Sequence, residues 1–128
     1  MSSEVIALNG QAVELMRSAW GVSEDWKQSQ HKAMLLLRKA LEYDEVNVFT
    51  LTNLGCALSN SGRHNQAIEV LMRAVELKST DRNTYFNLAV SMMNVAAQRP
   101  NARTYFERAT NFDAEETTES AYFDPHAY

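Results

Sequence analysis

The side chains able to do covalent or acid-base chemistry are few and scattered. His31, His64 and His126 have no histidine partner one helical turn away, and no HExxH pattern occurs. The glycine patterns that cradle phosphates, GxxxxGK(S/T) and GxGxxG, are absent, as is the GxSxG turn that exposes a nucleophilic serine. Glu42, Asp44 and Glu45 form an acidic run at a helix end, where carboxylates face water. Cys56 has no flanking base to generate a thiolate, so it reads as a quiet, partly buried thiol. A single cysteine also excludes an internal disulfide and a cysteine-rich zinc site. These residues predict no enzyme, no metal and no cofactor. What remains is amide chemistry. An asparagine carries a donor and an acceptor on one group, so it can pair with both polar groups of a peptide backbone. Asn53 and Asn60 return 34 positions later as Asn87 and Asn94.

The elements that must position those amides show the same period. Shifted by 34, Ala33, Leu37 and Ala40 fall on Ala67, Leu71 and Ala74. Leu51, Leu54 and Leu58 fall on Tyr85, Leu88 and Met92. With one extra residue in the turn, Ala67, Leu71 and Ala74 recur as Ala102, Phe106 and Ala109. Small and large residues return in one order, which suits helices that approach closely at alanine and fill the adjacent space with a larger side chain. Apolar residues at 67, 70, 71, 74 and 77 follow the spacing of one helix face. Asn47 and Asp81 stand where N-caps belong, Ser23 can cap the helix running to about Tyr43, Pro100 suits a first helical turn, and Gly62 suits a left-handed helix end. Six helices are predicted, over about 4–20, 24–43, 47–60, 64–78, 81–96 and 100–112.

Leu54-Gly55, Leu58, Gly62, Ala67, Leu71 and Ala74 resemble a tetratricopeptide repeat, a helix-turn-helix unit of 34 residues. Residues 48–81 match best. Residues 82–116 are a second copy, with its inserted residue near Pro100, and about 12–47 are a third with a degenerate first helix. The chain departs from the family pattern in two places. Ser79 stands where a proline usually closes the repeat, and about four extra residues surround Gly21-Val22-Ser23-Glu24. The resemblance implies an all-α, right-handed array of three such repeats over residues 1–112, followed by a tail over 113–128. It also implies a concave groove lined by the first helix of each repeat. The inward residues would be Phe49, Thr52, Asn53, Cys56, Ser59 and Asn60 in one repeat. In the next they would be Asn83, Phe86, Asn87, Val90, Met93 and Asn94. Asparagines spaced by the repeat could hold an extended chain by its backbone, with Phe49, Phe86 and Met93 as apolar sockets. This is similar to the asparagine ladders of O-linked sugar transferases. Their recurrence is equally accounted for by inheritance with the repeat. Family members that clamp acidic chaperone tails need cations where this chain has Asn83 and Asn87, and without them a terminal carboxylate has no charge-assisted partner.

Composition fits this picture. The chain has 128 residues, a 45% apolar share and a net charge of −4, which argues against a nucleic-acid binder. No run is apolar enough for membrane insertion and no targeting segment is visible, so the expected location is cytoplasmic. Arg103, Glu107 and Thr110 turn the outer face of the last helix polar, as at the end of a solenoid. The tail from Asp113 holds five acids and no lysine or arginine, then ends on Tyr122, Phe123 and Tyr128. It reads as flexible, acidic and dispensable for folding, and its aromatic end either packs loosely on the last helix or serves as a docking motif. The function expected is a non-catalytic module that holds an extended peptide in the groove. The groove asparagines should then matter for binding and little for stability. The alternatives are a self-assembling scaffold whose tail docks on another copy, or a chaperone for an assembling or secreted subunit. The protein would be a monomer or associate through its tail.

Overall fold

The computed structural model describes residues 1–18 and 23–127, with the side chains of Ser23 and Glu24 left undescribed. Six α-helices run in order: α1 (Ser3–Ser18), α2 (Ser23–Tyr43), α3 (Val48–Asn60), α4 (His64–Glu76), α5 (Arg82–Met93) and α6 (Arg99–Ala109). No strand occurs among the described residues. Each helix packs on the next, and α3 also packs on α1 and α5. The fold is an all-α array of three helix pairs. The four-residue insertion, the Ser23 side-chain cap, the extension of the first helix towards residue 20 and the ring of Tyr128 lie outside the described residues.

Local chemistry sets the helix ends. Asn47 Oδ1 accepts from Thr50 N at 2.9 Å, and Asp81 Oδ1 accepts from Asn83 N at 3.0 Å, so each cap satisfies a backbone donor that the helix cannot. Gly62 closes α3 with φ +78°, a conformation costly for other residues. Lys78 adopts φ +63° beyond α4, while Ser79 N reaches back to Ala74 O at 3.1 Å. Ser79 does by hydrogen bonding what a proline does by ring closure. Its hydroxyl lies 2.7 Å from Thr84 Oγ1 and accepts from Asp81 N at 3.2 Å, and its carbonyl accepts from Tyr85 Oη at 2.5 Å.

The small-large pattern fixes the pairing. Ala67, Leu71 and Ala74 of α4 are fully buried, as are Ala33, Leu37 and Ala40 of α2. A Cβ added at Gly55 of α3 would overlap the Leu71 side chain, so glycine there lets the two backbones close around a leucine. Each large aliphatic so buried contributes roughly 1.5–3 kcal/mol. At the far end Arg103 and Glu107 form an exposed ion pair at 3.0 Å on the polar outer face of α6.

The chain after α6 folds back across the array. Arg82 N donates to Asp113 O at 3.1 Å, and Phe112 stacks on Tyr85 with centroids 5.1 Å apart. Residues 115–123 then run along α3 and α5, ending in a short 3-10 turn, Pro125–Ala127. The segment read from sequence as a flexible tail is therefore seated on the body. Together with α1, α2, α4 and α5 it encloses α3, in which ten consecutive residues, Thr50 to Ser59, are buried.

Candidate peptide-binding groove

Three helices form the track. α3 and α5 present their inward residues side by side, and α1 contributes Asn9 and Arg17 from the flank. Asn53 and Asn87 sit one repeat apart, both fully buried. Asn53 Nδ2 donates to Thr117 O at 3.0 Å while its Oδ1 accepts from Glu119 N at 2.9 Å. Asn87 Nδ2 donates to Glu119 O at 2.9 Å while its Oδ1 accepts from Ala121 N at 2.7 Å. Each amide thus spans a carbonyl and the N–H two residues on. One repeat along the array advances two residues along the bound chain, and the second amide starts at the residue where the first stops. Asn60 continues the series, its Oδ1 accepting from Tyr122 N at 2.8 Å. All these contacts go to backbone.

Other expected groove residues take different places. Asn83 Nδ2 donates to Thr118 Oγ1 at 3.0 Å, so it contacts a side chain of the tail. Phe86 meets Phe123 edge-on with centroids 6.4 Å apart, and Phe106 joins them at 5.3 Å from Phe123. Phe49 lines a cleft of about 510 Å³ with Asn9, Val13, Glu116 and Thr117, where the tail enters. Thr52 lies between α3 and α5, sharing a 2.6 Å hydrogen bond with Thr84 Oγ1. Met93 is half-buried against the core. Asn94 is exposed and donates to Val90 O in its own helix at 2.9 Å, because α5 is ending there and the tail has already left the track. The amides of Asn53 and Asn87, expected from sequence to be exposed and nearly neutral for folding, are instead interior groups with filled hydrogen bonds.

Residues that the sequence did not single out complete the site. Asn9 Oδ1 accepts from Asn53 Nδ2 at 3.0 Å, and its own Nδ2 donates to Thr50 Oγ1 at 2.8 Å, so a flanking helix fixes the first ladder amide. Asn9 stands 44 residues before Asn53, off the 34-residue period, and so carried no signal. Asp81 both caps α5 and holds the tail, accepting from Glu115 N at 3.1 Å and from Thr118 Oγ1 at 2.6 Å. Arg17 pairs with Glu119. Cys56 lies beneath the tail, with Asn60 Nδ2 donating to its Sγ at 3.6 Å. Burial, reinforced by the charge of Glu119, raises its thiol pKa far above the ordinary range and leaves it unreactive. Among the described residues no group of three or more histidines, cysteines or acids could hold a metal ion.

Residues 50–81 match the family model described as tetratricopeptide repeat. The chain carries a tetratricopeptide repeat. That repeat comprises α3, α4 and the Ser79 turn, and the helix pairs on either side pack in the same manner. Two relatives are both named peroxisomal targeting signal receptor. The protein of Eremothecium gossypii is 46% identical over 46 residues, covering 36% of this chain and 8% of the relative. That of Kluyveromyces lactis is 29% identical over 84 residues, covering 66% of this chain and 15% of the relative. The alignments thus reach less than a sixth of either relative's length. No helix among the described residues is long and apolar enough to cross a membrane.

Proposed function

We propose that the groove between α1, α3 and α5 binds an extended segment of another protein in the cytoplasm, without catalysis. Asn53 and Asn87 would hold its backbone, with Asn60 extending the track and Asn83 and Phe86 contacting side chains. The observation that carries this reading is the paired use of the two repeat-related amides. Each grips a carbonyl and an N–H two residues apart on one segment, which turns at residues 116–118 and then runs on without helix or turn to 124. A merely inherited asparagine has no need of that geometry. The receptor names of the relatives accord with it, since a targeting signal is a peptide that a receptor must hold.

The test selects binders to the full-length chain from a random peptide library and follows them by the side-chain amide NMR signals of the asparagines. Bound peptides are expected to shift Asn53 and Asn87 first. Binders that move only convex residues such as Arg73 would place recognition outside the groove and overturn the reading.

A further inference from the structure

The groove reads more than backbone, and its resident tail shows what it reads. Thr118 is 2% exposed, and its hydroxyl donates to Asp81 Oδ2 at 2.6 Å, with Glu115 O a longer second acceptor at 3.2 Å, and accepts from Asn83 Nδ2 at 3.0 Å. A hydroxyl is the one small group that satisfies both partners, because it donates and accepts from one atom. One residue on, the carboxylate of Glu119 meets the Arg17 guanidinium. Ser120 is exposed. Ala121, three residues beyond Thr118, is 5% exposed within the core. Phe123, five beyond, completes an aromatic cluster with Phe86 and Phe106. These contacts use side chains and so discriminate among sequences, whereas the Asn53 and Asn87 pairs do not.

Resting on the peptide-binding reading above, we propose that the partner is a protein carrying an extended segment of the pattern hydroxyl–acid–any–small–any–aromatic. In residue terms this is Ser or Thr, Glu or Asp, any, Ala or Gly, any, Phe or Tyr. The chain's own Thr118 to Phe123 is a copy of that pattern held in cis. A ligand tethered through a short connection acts at an effective concentration of roughly millimolar. A partner segment therefore enters only by outcompeting the tail, and the affinity seen from outside is lower than that of the open groove.

The experiment uses a fluorescent peptide with the sequence of residues 114–127 and two full-length proteins: wild type, and Thr118→Glu with Phe123→Ala. The double change puts a second carboxylate against Asp81 and removes the ring, so the tail leaves while the groove residues stay. Helical circular dichroism reports folding. The expected result is that the undocked chain binds the peptide at least about ten-fold more tightly than wild type. Peptides carrying Thr118→Val or Phe123→Ala should each bind about ten-fold more weakly than the parent. Equal binding by both proteins overturns the cis-competition. If the undocked chain takes unrelated extended peptides as tightly as the parent, the pattern falls and the backbone-holding groove stands. If it takes no peptide at all, both fall. Should the double variant lose helix, Phe123→Ala alone is titrated with the same peptides, and parent and Thr118→Val peptides binding equally there overturns the pattern.

Discussion

The concave helices α3 and α5 and the convex helices α4 and α6 are built on opposite plans. α4 buries one stripe, Ala67, Leu71 and Ala74, and leaves Arg73 and Glu76 in water. α6 buries only Ala102 and Ala109. α3 buries every residue from Thr50 to Ser59, polar ones included, and α5 buries nearly all of its length. The difference teaches that a convex helix needs only an apolar stripe. A concave helix covered on all sides must instead satisfy most of its polar groups. Here the tail supplies carbonyls and N–H groups to Asn53, Asn60 and Asn87, Thr52 and Thr84 pair with each other between the helices, and Ser91 Oγ is left buried without a partner.

The largest effect that would break this comparison lies on the seam between the two plans. Gly55→Leu forces a branched side chain into the space of Leu71 and should cost about 3 kcal/mol or more in chemical denaturation. A midpoint that does not move would mean that the α3–α4 approach is looser than described.

Next come Asn87 within α5 and Asn94 at its C-cap. Asn87→Ala strips buried partners from Glu119 O and Ala121 N and should cost about 1–3 kcal/mol. Asn94→Ala touches an exposed amide and should stay within about 0.5 kcal/mol. Equal losses would erase the distinction between a ladder residue and a surface residue on one helix.

A smaller effect sharpens the role of the cover. Phe123→Ala removes a ring from the Phe86–Phe106 cluster and should cost about 1 kcal/mol of edge and stacking contact beyond area. It should also speed alkylation of Cys56, which is fully buried under the tail. Alkylation at the wild-type rate would show that the tail does not guard that thiol.

The smallest prediction concerns pH at the start of α4. Burial lowers the His64 pKa below the ordinary histidine value of 6.5. The unfolded chain then takes up the proton first as pH falls. The stability is fully present above about pH 6.5 and is lost on acidification down to the folded pKa. His64→Gln should flatten that part of a stability-versus-pH curve, and a curve that keeps its slope would assign the acid response elsewhere.

Much of the frame was legible from residue types alone. The alanine-leucine-alanine register, the Asn47 and Asp81 caps, the Gly62 helix end and Pro100 in the first turn of α6 all act within a few residues or one repeat. Periodicity and capping chemistry therefore reveal them. The amides were legible as a recurrence and not as a ladder, and Asn60 and Asn94 show why. They occupy equivalent positions in the repeat, yet Asn60 meets Tyr122 and Asn94 meets its own helix. Only the path of the bound chain separates them.

The sequence by itself determined the helix pairs, their order and the polar finish of α6, because local spacing and side-chain size dictate which helix faces can meet. Tertiary structure alone decided where residues 113–127 lie, since an acidic segment with few apolar residues has no local reason to order. Its partners come from three helices far apart in sequence: Arg17 pairs with Glu119, Asn53 and Asn87 grip the backbone, and Asp81 at the start of α5 takes the hydroxyl of Thr118, while Asn9 holds Asn53 in place from behind. A pattern within the segment cannot announce partners that come together only once the array has folded.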